Sequence, residues 1–206
     1  SLTMISIPSS VKIIEKNAFE GCIMLNKLEL DPSQTEIKEG AFKNCSLGCL
    51  DIRSTNNVID YSIKELIDSI GRIICISFSS PITTISSYSF KECSSLIDIT
   101  IPDSVTSIEK GAFSGCSSLA RIRIPQSTKE IGELAFESCT NLSQLEINPC
   151  QSKIQSNTFK KCLSLKFLLI SSTNGIIDYQ LKSYIDKIGQ ITEIIFLPSV
   201  TKIGNS

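Results

Sequence analysis

A phenylalanine recurs every 23 residues along most of the chain, and no other feature restricts its fold as strongly. Phe19, Phe42, Phe90, Phe113, Phe136 and Phe159 keep this spacing apart from one gap of 48, and Cys22, Cys45, Cys93, Cys116, Cys139 and Cys162 each follow three residues later. A unit this short cannot bury its own apolar side. It must stack on copies of itself, so that each residue type meets its like above and below. Counted from the first apolar position, units begin at Leu2, Leu25, Leu47, Ile73, Leu96, Leu119, Leu142, Leu165 and Ile191, nine in all with the last incomplete. They tile residues 1–206 without a linker, which predicts one solenoid domain. Neither end shows a polar capping unit, so a segment of a longer protein is expected.

The period changes within each unit. The opening L-x-x-I-x-I alternates apolar and polar residues with β-branched side chains, the pattern of a short strand buried on one face, and a proline often follows and ends it. In the unit from Leu96, Val105 and Ile108 turn a second edge inward. The A-F-x-x-C-x-x-L run then places apolar residues at helical or 3₁₀ spacing, which predicts a short helical turn. Ile on the strands and edges and Ser in the turns account for 34 Ile and 33 Ser in one chain.

Two units depart from the rule together. Their spacing is 26, and the A-F-x-x-C run gives way to S-T-N-N-V-I-D-Y-S-I-K-E-L-I-D-S-I-G (Ser54 to Gly71) and S-T-N-G-I-I-D-Y-Q-L-K-S-Y-I-D-K-I-G (Ser172 to Gly189). Ile59, Ile63, Leu66, Ile67 and Ile70, and likewise Ile177, Leu181, Tyr184, Ile185 and Ile188, follow an i, i+4, i+7, i+8, i+11 pattern. An amphipathic helix over Asp60 to Gly71 and another over Asp178 to Gly189 are expected, each closed by its glycine. The preceding units correspond as well (Asp31 to Cys45, Asn148 to Cys162), so a superunit of about five repeats is duplicated with an offset of 117 to 118 residues.

The string L-x-x-I-x-I-P-x-S-V-x-x-I-E-x-x-A-F-x-x-C-x-x-L, clearest at Leu96 to Leu119 and Leu2 to Leu25, resembles the 23-residue leucine-rich repeat of BspA-like proteins. Seven of the nine units fit it. The resemblance implies an α/β leucine-rich-repeat solenoid, right-handed, with parallel strands on the concave face and short helical or 3₁₀ turns plus the two longer helices on the convex side. It also implies a cell-surface or extracellular protein that adheres to host or matrix proteins.

Chemistry is scarce in the sequence. Without histidine there is no Ser-His-Asp or Cys-His relay and no imidazole metal ligand. There is no glycine-rich phosphate loop, and no cysteine pairing has the spacing of a zinc site, so no cofactor, no metal and no enzymatic activity are expected. Twenty Lys+Arg against 21 Asp+Glu, interleaved along the chain, argue against nucleic acid, and no apolar run is long enough for membrane insertion. The six in-phase cysteines suit a ladder of reduced core thiols, which leans towards an intracellular or anaerobic setting while the resemblance leans towards the surface. Cys49 and Cys75 sit on outward strand positions of adjacent units and are the pair best placed to react. Side chains that run parallel in a ladder nevertheless argue against a disulfide there.

Function is expected on the outward strand positions, which the core does not need. In order these are Met4/Ser6, Lys27/Glu29, Cys49/Asp51, Cys75/Ser77, Asp98/Thr100, Arg121/Arg123, Gln144/Glu146, Phe167/Leu169 and Glu193/Ile195. The candidate protein-binding residues are Lys27, Glu29, Asp98, Thr100, Arg121, Arg123, Gln144, Glu146, Phe167 and Leu169. Arg121 and Arg123 form a basic step between acidic ones. Cross-strand pairing of Asp98 with Arg121 and of Arg123 with Glu146 would also account for it, so a binding face and a merely solvated face of a spacer or scaffold both stay open.

Overall fold

The computed structural model describes residues 2–177 and 181–204. It is a parallel β-solenoid of about nine turns in which every unit contributes one strand to a front ladder and a two-residue strand to a back ladder. Front strands run Met4–Ser6, Lys27–Leu30, Cys49–Ile52, Cys75–Phe78 and Asp98–Ile99 in one sheet, then Arg121–Arg123, Gln144–Ile147, Phe167–Ile170 and Glu193–Phe196 in a second. The expected columns form in register: Met4, Lys27, Cys49, Cys75 and Asp98 are paired in sequence, as are Arg121, Gln144, Phe167 and Glu193. Alternate residues such as Leu28, Leu50, Leu145 and Leu168 are fully buried, so the alternation in the sequence became burial on one face.

The A-F-x-x-C runs are hydrogen-bonded turns and not the helical or 3₁₀ segments expected from their spacing. The backbone gives the reason. In each of the six units one residue before the Ala position and one before the Cys is left-handed: Asn17, Gly40, Tyr88, Gly111, Leu134 and Asn157, and then Gly21, Asn44, Glu92, Gly115, Ser138 and Lys161. A right-handed helix cannot propagate through such residues, which for an L-residue cost about 1 kcal/mol or more each.

Stacking of the turns repays that cost. Phe90, Phe113, Phe136 and Phe159 lie ring on ring with centroids 5.1–5.4 Å apart, and Phe19 stacks on Phe42 at 5.2 Å. Backbone bonds join the same turns. The Phe90 N–H donates to the Ala112 carbonyl and the Phe113 N–H to that of Ala135, at 2.8 and 2.7 Å. In the reverse direction the thiols of Cys45, Cys116, Cys139 and Cys162 donate to the carbonyls of Phe19, Phe90, Phe113 and Phe136 at 3.0–3.2 Å. Four of the six in-phase cysteines are therefore donors between turns as well as small core residues. Their thiol neighbours and burial push the pKa of Cys116 and Cys139 well up, so both stay protonated.

Helix α1 (Ser62–Ile70) and helix α2 (Leu181–Ile188) stand in the third and eighth units, where the Phe–Cys turn is missing. They are the only helices among the described residues, and the expected start of the second at Asp178 lies outside those residues. The amides of Gly71 and Gly189 donate to the Ile67 and Ile185 carbonyls, closing each helix on the anticipated glycine. Ile63, Leu66 and Ile67 of α1, and Tyr184 and Ile188 of α2, join the continuous core.

One cysteine expectation is overturned: Cys49 and Cys75 form a disulfide, with Cα atoms 4.7 Å apart. Direct pairing of the two residues across neighbouring strands brings their sulfurs within bonding reach. Cys150 is free and exposed.

Two outcomes follow. With thiol-specific alkylation of the native protein near pH 7, Cys150 is labelled while Cys116 and Cys139 react only on unfolding; labelling of those two in the folded state would contradict the thiol ladder. Gly132→Ala lowers the urea-unfolding free energy by about 1–3 kcal/mol, because a Cβ there would sit 2.6 Å from the backbone of Glu109 and Lys110.

Candidate functional site

The structure brings six of the nominated residues to one place. Asp98, Thr100, Arg121, Arg123, Gln144 and Glu146 line a cleft of about 240 Å³ on the front face, floored by Ile99, Ile101 and Ile122. The cleft exists because the front ladder is interrupted there. Arg121–Arg123 pairs with Gln144–Ile147 but not with Asp98–Ile99, which pairs only with Cys75–Phe78. The amides of Asn26 and Lys27 donate to Thr3, and those of Ser143 and Gln144 to Ala120; the equivalent bonds from Ala120 and Arg121 to Ile97 are not made.

The same two units are tied firmly elsewhere. Ser107–Ile108 pairs with Glu130–Ile131 on the back. Gly111, Phe113 and Gly115 donate to Glu133, Ala135 and Glu137 in the turns. The opening is a local gap in one ladder, over an intact core.

Charge is distributed unevenly over the front face. In the second and third units Lys27 pairs with Asp51 at 3.1 Å and Glu29 with Arg53 at 2.8 Å, and Arg53 also donates to the Ser6 hydroxyl at 2.6 Å. Lys27 and Glu29 are thus engaged within the molecule. At the cleft, Arg123 holds Asp103 at 2.9 Å and reaches Glu146 at 3.4 Å, and its hydrogen bond to Asp103 is the main cause of a raised guanidinium pKa. The suggested pairing of Asp98 with Arg121 is not made. Both side chains are exposed, and neither has an ion-pair partner among the described residues.

Phe167 and Leu169 lie one unit beyond Gln144 and Glu146 and pair with Glu193 and Ile195. Phe167 and Ile195 are exposed there as an apolar patch beside the cleft. Two residues of this surface were not singled out in the sequence. Arg53 continues the outward parity of Cys49 and Asp51 by one step, a signal that was present. Asp103 follows Pro102 and is returned to the face by the turn, which strand parity does not foresee. Among the described residues no group of three or more His, Cys, Asp or Glu side chains is placed to hold a metal ion, and no helix is long and apolar enough to cross a membrane.

The repeat model for the BspA type leucine rich repeat region matches in six copies over residues 1–74 and 68–188. The chain belongs to this family. No curated protein matches it in sequence. Among solved structures, a leucine-rich repeat protein from Bacteroides ovatus aligns over 95% of this chain with 24% identity and a TM-score of 0.52, which shows the shared fold. The chain spans 42% of that protein's length. A leucine rich cell surface protein from Faecalibacterium prausnitzii aligns over all of this chain and 61% of its own, at 22% identity and a TM-score of 0.44. The T. pallidum leucine rich repeat protein aligns over 98% of this chain and 73% of its own, at 20% identity and the same TM-score.

The electrostatic contrast within this BspA-type face is measurable. Arg53→Ala costs about 1 kcal/mol in urea unfolding through loss of its partly buried pair, whereas Arg121→Ala changes stability by less than about 0.5 kcal/mol. Equal costs would mean that Arg121 has a structural partner after all.

Proposed function

We propose that the chain is a non-catalytic protein-interaction module that binds a protein ligand on its front face, centred on the cleft between Asp98 and Arg121. The observation that carries this reading is the pair of opposite charges, unmatched among the described residues, at the gap in the front ladder between Asp98–Ile99 and Arg121–Arg123. Exposed groups without an internal partner are available to one outside, and a rigid scaffold presents them with little ordering cost. Thr100, Gln144 and Glu146 supply polar contacts around them, and Phe167 with Leu169 and Ile195 supplies an apolar anchor one unit away.

Adhesion at a cell surface, with a host or matrix protein as the ligand, is the setting we favour within this proposal. The family resemblance points there, and the Cys49–Cys75 disulfide supports it because such bonds persist in oxidising compartments. A spacer with a merely solvated face is favoured only for the second and third units, where Lys27, Asp51, Glu29 and Arg53 neutralise one another.

The test is partner capture from host extracts by the wild type and by an Arg121→Glu/Arg123→Glu double variant. The protein retained by the wild type is lost by the variant, by roughly tenfold or more in affinity, and its binding weakens with added salt. Capture undiminished by the double reversal would sink this reading.

A further inference from the structure

The back ladder is broken twice, and the two breaks are the two copies of one site in the duplicated superunit. Glu36–Ile37 does not pair with Val58–Ile59, and Lys153–Ile154 does not pair with Ile176–Ile177. Each break lies beside a helix, α1 in the first copy and α2 in the second. The frames share their principal side-chain bonds. The Thr35 hydroxyl donates to the Val11 carbonyl at 2.9 Å, as that of Ser152 does to Thr128 at 2.8 Å. Ser54 binds Asn56 and the Val58 carbonyl, as Ser172 binds Asn174 and the Ile176 carbonyl.

Several lining residues differ between the copies, among them Glu36 against Lys153 and Leu66 against Tyr184, and the last of these fills the second break. Tyr184 of α2 is only 6% exposed, and its hydroxyl donates to the Ser152 carbonyl at 3.0 Å. Burial pushes its pKa up, as expected for a phenol withdrawn from water. The corresponding residue of α1, 118 positions earlier, is Leu66. Leucine ends short of where the phenol would lie, and the first break is an open cleft of about 490 Å³ whose lining includes Thr35, Glu36, Ser62, Glu65, Leu66 and Ser69. The Thr35 carbonyl, counterpart of that of Ser152, receives no hydrogen bond among the described residues.

We propose that this cleft is a binding site for a phenol, namely the side chain of a tyrosine on another polypeptide. The ring lies against Leu66 and the hydroxyl donates to the Thr35 carbonyl, as Tyr184 does to Ser152 in the second copy. Selectivity follows from the chemistry. Phenylalanine fills the same space but leaves the carbonyl unpaired, and a phosphorylated tyrosine has lost the donor hydroxyl, a loss that Lys12 on the cleft rim does not restore at the Thr35 carbonyl. The site is on the opposite ladder from the front cleft and is independent of the function proposed for it.

Titration of the whole chain with N-acetyl-tyrosinamide, followed by amide chemical shifts, tests this. The wild type shows one saturable site, with shifts confined to Thr35–Ile37 and Ser62–Ser69, about tenfold tighter than for N-acetyl-phenylalaninamide, the ratio of one hydrogen bond. Leu66→Tyr fills the cleft from within, abolishes binding and keeps the fold. Tyr184→Leu opens the second copy and raises the stoichiometry to two. Absence of saturable shifts at the cleft, equal affinity for the two amides, or undiminished binding by folded Leu66→Tyr overturns the proposal. So does concentration-dependent self-association that Leu66→Tyr removes, which would make a second copy the occupant. Should Leu66→Tyr fail to fold, the comparison of the two amides and the Tyr184→Leu stoichiometry still decide.

Discussion

The stacking of one turn on the next is the constraint on which the rest of this protein depends. The central Phe–Cys turns are tied in both directions: the Phe113 and Phe136 amides donate forward to the Ala135 and Thr158 carbonyls, and the thiols of Cys116 and Cys139 donate back to the Phe90 and Phe113 carbonyls. The rings between them have one spacing and nearly parallel planes. Once the turns are held at that pitch, strand register is no longer free, because a slip of one residue would carry Leu28 or Leu145 out of the core and a charged neighbour into it. The outward columns are a consequence of the turn stack, and so is any surface built on them.

This arrangement also lets the ladders be interrupted without loss of the fold. The junction of the fifth and sixth units lacks front-strand pairing but retains the back ladder and the turns. The junctions beside α1 and α2 lack back-strand pairing but retain the front ladder. No junction among the described residues lacks both. The front gap and the gap beside α1 leave polar groups without an internal partner at defined places, and there both proposed contacts lie; the gap beside α2 is filled by Tyr184. A solenoid that cannot form an enclosed pocket from its loops can form clefts by omitting pairings from one face at a time.

Much of this was legible in the sequence, for physical reasons that differ by feature. The 23-residue period identified the fold and the family, and strand parity identified the columns, because both depend only on which side chains face the core. The glycine-closed helices were legible from their apolar spacing. The turn conformation was not, since i, i+3 apolar spacing is shared by a helical turn and by a turn with two left-handed residues, and only some of those residues are glycine. Tyr88, Glu92, Leu134 and Lys161 give no local sign of it. The Cys49–Cys75 bond was weighed and disfavoured on general ladder geometry. The gap between Asp98–Ile99 and Arg121–Arg123 has no sequence signal, although its residues were nominated for their charge. The second cleft was hidden in a comparison within the chain, Leu66 against Tyr184, whose meaning depends on knowing that the back ladder is open at both.

Native-state hydrogen exchange tests the central claim most directly, since it reads the turn stack and the front gap in one experiment. The account predicts strong protection of the Phe113 and Gly115 amides, which donate across the fifth and sixth units in the turns. It predicts fast exchange of the Arg121 and Arg123 amides and, one unit on, slow exchange of those of Gln144 and Glu146. Protection of Arg121 and Arg123 equal to that of Gln144 and Glu146 would show a continuous front ladder and contradict it.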